Sequence, residues 1–165
     1  MTTITRILIP TDFGAASDAA FDYALTLAGS FKASLVLLYV FEDPFATAAY
    51  TPAVNGSGRL VPSPPMIDDD QTQLGSRVAR ARQLGLSVTS AFVWGNPSKI
   101  IPEYAAAEGI DLIVMGTHGR TGVAHLILGS VAERVQRTAP CAVLTVKTGN
   151  TPTSHASEIC APATA

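Results

Sequence analysis

The residues with most chemistry to offer lie between Ile110 and Val135: an apolar run, then Gly116, Gly119 and Gly122, then Gly129-Ser130 ahead of a helical pattern. Glycine permits backbone conformations closed to other residues and lets the main chain approach a ligand closely. Successive N–H groups in such a turn form a concavity suited to an anion, and a helix start adds unpaired donors and partial positive charge. Arg120 supplies a fixed cation able to grip phosphate oxygens. Together these features read as a nucleotide site. Each residue also has a plainer reading. The glycines can simply shape a strand-to-helix turn, and Arg120 can be a solvated surface residue. Ser130-Val131-Ala132-Glu133 fits a capping box, with Ser130 the cap and Glu133 reaching back. A capping serine leaves other first-turn N–H groups open to an anion, so the two roles are compatible.

The elements that must hold this stretch are legible as β-rich apolar runs alternating with helical patterns, the signature of an α/β fold with a parallel sheet wrapped by helices. Strands are expected at Ile4–Pro10, Ser34–Phe41, Leu86–Trp94, Ile110–Met115 and Cys141–Lys147. The first helix carries Ala20, Phe21, Ala24, Leu25, Leu27 and Ala28 on one face and is expected to stop near Gly29. A second runs from about Met66 to Leu84, with Asp68, Asp69 and Asp70 in its first turn and Arg77, Arg80 and Arg82 towards its end, matching the helix dipole. A third spans Pro97 to Glu108, capped by Asn96 with Pro97 at its first position. The fourth is Ser130–Thr138. Residues 42–65, with Pro44, Pro52, Pro62, Pro64 and Pro65, read as a long irregular loop, and 148–165 as a flexible tail.

Composition narrows the class. The 165 residues are 47% hydrophobic, sufficient for one globular domain without metals or disulfides. A net charge of −2 with no basic block argues against duplex nucleic acid as a partner. Cys141 and Cys160 are the only cysteines, which favours a reduced, cytoplasmic protein over a disulfide framework. The opening M-T-T-I-T-R-I-L-I-P lacks the pattern of a signal peptide, and no apolar run approaches the length of a membrane span.

The spacing Gly116, two residues, Gly119, nine residues, Gly129, Ser130 resembles the glycine motif of the universal stress protein family, in its ATP-binding branch. The opening I-L-I-P-T-D (Ile7 to Asp12), the run Ser34 to Val40 and the closing Ala139 to Val146 extend the resemblance over roughly the first 148 residues, apart from 42–65. It implies a Rossmann-like open sheet of strand order 3-2-1-4-5, which puts the reversal of order between strands one and four. Asp12 follows the first and Gly116 the second, so both face the crevice where such sheets bind ligands. The resemblance also implies that Pro10, Thr11, Asp12, Val40, Met115, Gly116, Gly119, Arg120, Gly129, Ser130 and Val131 line the nucleotide site. In that reading Asp12 faces the ribose or a phosphate-bound Mg²⁺, and adenine lies near the backbone of Val40. Read without the resemblance, Asp12 caps the turn after its strand.

Other candidates carry less. His118 and His125 have no ligand partner at zinc-like spacing, and Asp68–Asp70 are explained by a helix start. Gly56-Ser57-Gly58-Arg59 is a surface loop before it is a lid. No Walker G-x-x-x-x-G-K-[ST], no G-x-S-x-G and no acid pair after two strands occurs. The reading is therefore a regulatory module binding ATP, AMP or another adenine nucleotide, in which phosphate orders the Gly116–Gly129 segment and changes a surface for a regulatory protein partner. At most it turns ATP over slowly. The alternatives are a nucleotide-free dimeric scaffold and an adenine-nucleotide hydrolase. The resemblance further implies a homodimer paired through the Cys141–Lys147 edge strand.

Overall fold

In a computed structural model, residues 3–42, 53–54, 60–61, 64–117 and 129–147 are described, without the side chains of 53–54, 60–61 and 64–68. The chain runs β1 (Arg6–Thr11), α1 (Ala15–Phe31), β2 (Ser34–Phe41), β3 (Ala53–Val54), β4 (Leu60–Val61), α2 (Pro64–Gln83), β5 (Val88–Trp94), α3 (Pro97–Ala107), β6 (Leu112–Gly116), α4 (Ser130–Thr138) and β7 (Ala142–Val146). Five strands form one parallel sheet in the order β5-β2-β1-β6-β7. This is the expected order 3-2-1-4-5, counted over the strands of that sheet. The short pair β3 and β4 is antiparallel and separate from it.

Alternation along the central strands sorts the core into two layers. Ile7, Ile9, Leu35 and Leu37 join Phe21, Ala24 and Ala28 of α1 and Leu74, Val78 and Ala81 of α2. Leu8, Val36, Leu38 and Ile113 join Ile101 and Ala105 of α3 and Ala132 and Val135 of α4. Helices thus cover both faces, so the middle strands are apolar throughout, as the sequence pattern implies.

Three of the differences in boundary share a cause. Ala33 N–H reaches back to Ala28 C=O, Leu86 N–H to Ala81 C=O and Ile110 N–H to Ala105 C=O, each about 3 Å. These are the closing bonds of helix ends in which one residue turns left-handed, here Lys32, Gly85 and Gly109. Leu86 and Ile110 therefore finish the preceding helices, and the strands begin at Val88 and Leu112 instead. Lys32, not Gly29, ends α1, which runs to Phe31. The expected loop 42–65 is also corrected: it holds β3 and β4, and α2 starts at Pro64, a favoured residue for a first turn. Asp68, Asp69 and Asp70 consequently fall one turn later than expected, beyond the first turn. Asn96 caps α3 as expected, its Oδ1 accepting Ser98 N–H at 3.0 Å. The tail expected at 148–165 lies outside the described residues.

At the amino end of the sheet one carboxylate ties β1 to β6. Asp111 Oδ2 accepts Thr5 N–H at 2.7 Å, Thr5 Oγ1–H at 2.7 Å and Arg6 N–H at 2.9 Å. These donors, the Thr5 backbone foremost, hold its carboxyl below the usual carboxylate range. A carboxylate with a lowered folded pKa stabilises the fold above its unfolded pKa, and loses that contribution as pH falls through the folded value. Asp111→Ala should destabilise the protein by about 1 kcal/mol at pH 7. The difference from the parent should shrink progressively in urea melts as pH is lowered below about 4; a gap that does not change with pH over that range would show that ionised Asp111 is not its source.

Candidate functional site

The chain leaves β1 in one direction, through β2 to β5, and later occupies the other side through β6 and β7. The reversal falls between β1 and β6, which pair directly with Ile7 opposite Leu112 and Leu8 opposite Ile113. Asp12 and Gly116 therefore stand at the carboxyl ends of neighbouring parallel strands, where open α/β sheets leave a crevice.

The β1–α1 turn is held by its own side chains. Thr11, 7% exposed, accepts Phe13 N–H at 3.1 Å through Oγ1, and its hydroxyl lies 3.3 Å from Ser17 Oγ. Ser17 donates in turn to Gly14 C=O at 2.9 Å. Asp12 Oδ1 accepts Gly14 N–H at 3.0 Å, so it does close the turn after its strand. A carboxylate accepts several hydrogen bonds at once, and turn closure is compatible with a ligand contact.

Gly116 has a structural reason that the sequence did not disclose. A Cβ there would stand 2.7 Å from the carbonyl carbon and from the Cβ of Ala16, and 2.9 Å from its carbonyl oxygen. Its φ is not among the positive ones, so this glycine serves close packing against α1 and not a left-handed turn. Thr117, 2% exposed, then donates its N–H to Val146 C=O at 2.9 Å. Its own carbonyl accepts Gly129 N–H at 2.6 Å. That bond seats the start of α4 at the carboxyl end of β6. Sequence reasoning passed over Thr117; a hydroxyl residue ending an apolar strand was the only signal.

The capping box is not formed. Gly129, extended at φ −71° and ψ 153°, is the N-cap, with no side-chain cap. Its carbonyl accepts Glu133 N–H at 2.9 Å, while Glu133 pairs with Arg137 at 2.9 Å instead of reaching back. The bond to Thr117 fixes Gly129 and starts the helix one residue earlier than the box requires. Ser130 is exposed at the first helical position, and the opening N–H groups of a helix lack intrahelical partners.

The apolar members gather on one side of the sheet. Met115 belongs to the buried cluster beneath α3 and α4, and Val40 and Val131 pack against it. Pro10 is buried and shares its face with Leu8 by strand alternation. Thr11 and Gly116 instead meet α1. A recess of about 310 Å³ lined by Asp18, Phe21, Ser76, Arg77 and Arg80 lies on that α1 and α2 side, apart from Val40, Met115 and Val131. His118, Gly119, Arg120, Gly122 and His125 lie outside the described residues, as do Cys160 and Gly56–Arg59. Among the described residues no group of three or more His, Cys, Asp or Glu could hold a metal, and no helix is long and apolar enough to cross a membrane. Burial pushes the Cys141 thiol up, with Asp111 adding to the effect, which disfavours the reactive thiolate.

Comparison with known proteins gives a consistent result. The universal stress protein family matches residues 3–147. A universal stress protein of Methanocaldococcus jannaschii is 38% identical over 143 residues, spanning 86% of this chain and 81% of the relative. The universal stress protein UspA from Lactobacillus plantarum superposes with a TM-score of 0.66 at 29% identity, covering 88% of this chain and 99% of that one. A universal stress protein in complex with cAMP superposes at 0.65 with 24% identity, over 88% and 98% of the two chains; at that identity the likeness is one of fold.

Because packing against Ala16 admits no side chain, Gly116→Ala should cost about 1–3 kcal/mol through overpacking, measured as a fall in the urea midpoint at unchanged slope. A variant as stable as the parent would show that α1 can yield there, and would return residue 116 to a purely ligand-facing role.

Proposed function

The chain belongs to the universal stress protein family, and we propose that it binds ATP, or a related adenine nucleotide, as a regulatory module. One observation carries this reading: the switch point between β1 and β6 gathers a carboxylate, a glycine strand end and a helix start at one crevice. The phosphates sit at the start of α4, on the N–H groups that follow Gly129 from Ser130 onwards, with Gly119 and Arg120 completing their contacts. Adenine lies on the α3 and α4 side against Val40, Met115 and Val131, beside Pro10. Asp12 faces the ribose or a phosphate-bound Mg²⁺. A single carboxylate suits that ion, which keeps most of its waters and takes its remaining ligands from phosphate. A universal stress protein of the same fold has been solved in complex with cAMP, and an adenine nucleotide is the ligand class we propose here.

We read the site as serving regulation rather than turnover. Among the described residues, Asp12 is the one acidic side chain assigned to the crevice, and none of the others assigned there is a second carboxylate. Occupancy shifts a partner-facing surface only so far as nucleotide prefers one state of the protein over another. β7 is an edge strand with Leu144 37% exposed, and a second copy of this strand covers it in a homodimer. A cytoplasmic location is part of the same reading, on the sparse cysteine usage.

A thermal-unfolding titration tests the site. Mg-ATP at one hundred times its dissociation constant stabilises by about 2.7 kcal/mol, raising the midpoint by several degrees, while Mg²⁺ alone and FMN should leave it in place. Gly119→Val should abolish the shift and keep the fold. No shift at millimolar ATP, from protein freed of nucleotide, favours the scaffold reading, and rapid metal-dependent phosphate release favours the hydrolase. For the assembly, sedimentation should give a dimeric mass that Leu144→Arg converts to a monomer; a monomeric parent at micromolar concentration would refute the β7 pairing.

A further inference from the structure

Phe13 holds φ at 62°, a conformation strongly disfavoured for a bulky side chain. It stands between Asp12 and Gly14, so its backbone sets the direction of the carboxylate assigned above to ribose or metal. Relaxing Phe13 to a negative φ would rotate the peptides on either side. That rotation moves Gly14 relative to Asp12 and would break the Asp12 Oδ1 contact to Gly14 N–H. Strained residues of this kind persist only where their surroundings over-determine them, and they cluster at functional sites.

Two groups grip the Phe13 ring. Tyr39 of β2 stacks on it with centroids 4.8 Å apart and planes 20° from parallel. Arg77 of α2 places its guanidinium carbon 4.7 Å from the same centroid. Arg77 also pairs with Asp18 in the first turn of α1 and donates to Gln73 C=O at 3.2 Å. One side chain therefore touches both the turn itself, at Phe13, and the first turn of the helix that follows it, at Asp18. The side chain of Arg77 is only 14% exposed, which strengthens a cation–π contact by removing competing water. The neighbouring pair offers an internal contrast. Arg80 meets Asp22 at 2.8 Å and Phe21 at 5.6 Å, but it is 57% exposed and grips the body of α1, where nothing is strained.

We propose that Arg77 is a positioning residue for the nucleotide site: bound to Phe13 and Asp18, it holds the β1–α1 turn in the strained form that presents Asp12 to the ligand. This rests on the nucleotide reading of Asp12. Arg77 does not touch ligand itself, and it acts from the face of the sheet opposite the adenine side. α2 thereby governs affinity at a crevice that it does not line.

Calorimetric titration of the full chain with Mg-ATP tests the role, using the parent, Arg77→Gln, Asp12→Asn, the double variant and Arg80→Gln. Arg77→Gln should weaken binding about fivefold or more, and Arg77→Lys, which keeps the charge, should recover part of the loss. In the Asp12→Asn background the same Arg77 change should cost less than about twofold, because residues acting through one another are not additive. Arg80→Gln should bind as the parent does. Should Arg77→Gln fail to fold, Phe13→Leu removes the aromatic partner with Arg77 intact and should weaken binding likewise. Parent-like affinity of Arg77→Gln or Phe13→Leu overturns the proposal, as does an equal loss with and without Asp12 or an equal loss in Arg80→Gln. A parent that binds no nucleotide overturns the nucleotide reading and this one with it, whereas a binding parent with a silent Arg77→Gln overturns only the role of Arg77.

Discussion

The close approach of Gly116 to Ala16 fixes the relation between the two halves of the sheet. At 2.7 Å from the position of a Cβ, Ala16 leaves room for hydrogen alone, so the start of α1 lies directly on the last residue of β6. α1 leaves the end of β1 and must pass over β6 on its way back to β2, and any larger residue at 116 would push it outward. With the helix seated there, β1 and β6 end side by side, and the residues that follow them, Asp12 and Thr117, stand at neighbouring strand ends. Close packing admits few alternative arrangements at such a point, which is why one hydrogen in place of a methyl group matters to the architecture.

From that contact the polar groups of the crevice take their places. Thr117 reads as a buried threonine of no obvious use, yet its two backbone groups join three elements. Its N–H is bound to Val146 at the end of β7, and its carbonyl to Gly129 at the start of α4. The helix start is thus referred to the sheet and not left to the connection before it. The β1–α1 turn is fixed by a different means, two short side-chain contacts from Thr11 and Asp12 and an aromatic clasp around Phe13. The crevice has one wall set by backbone pairing and another set by a strained turn held from α2.

The two faces of the sheet divide the labour accordingly. On the α3 and α4 side the lining is apolar and ordinary in conformation, Val40, Met115 and Val131 continuing the core cluster to its rim. On the α1 and α2 side lie the strained turn, the pairs of Arg77 with Asp18 and Arg80 with Asp22, and the aromatic series that runs from Phe13 through Tyr39 and Phe92 to Phe41 and Trp94. In the proposed reading a flat aromatic ligand lies on the first side, and the support of Asp12 comes from the second.

The sequence alone determined the alternation of strands and helices, because burial on both faces forces continuous apolar strands and helical spacing forces one-sided helices. Asn96 and Pro97 marked the start of α3 because that signal involves only neighbouring residues. The strand order implied by the family resemblance, taken with the glycine spacing, pointed to Asp12, Gly116 and Gly129 as one candidate site. Tertiary structure decided what local chemistry could not weigh. Ser130 and Glu133 have the residue types of a capping box, but a bond from Gly129 to Thr117, twelve positions back, moved the cap. Gly116 looked like a turn glycine until Ala16, a hundred positions away, was found against it. The part played by Arg77 depends on a helix and a turn some sixty residues apart. Propensities and periodicities report on neighbours in the chain, whereas these three facts arise from groups that only the folded sheet brings into contact.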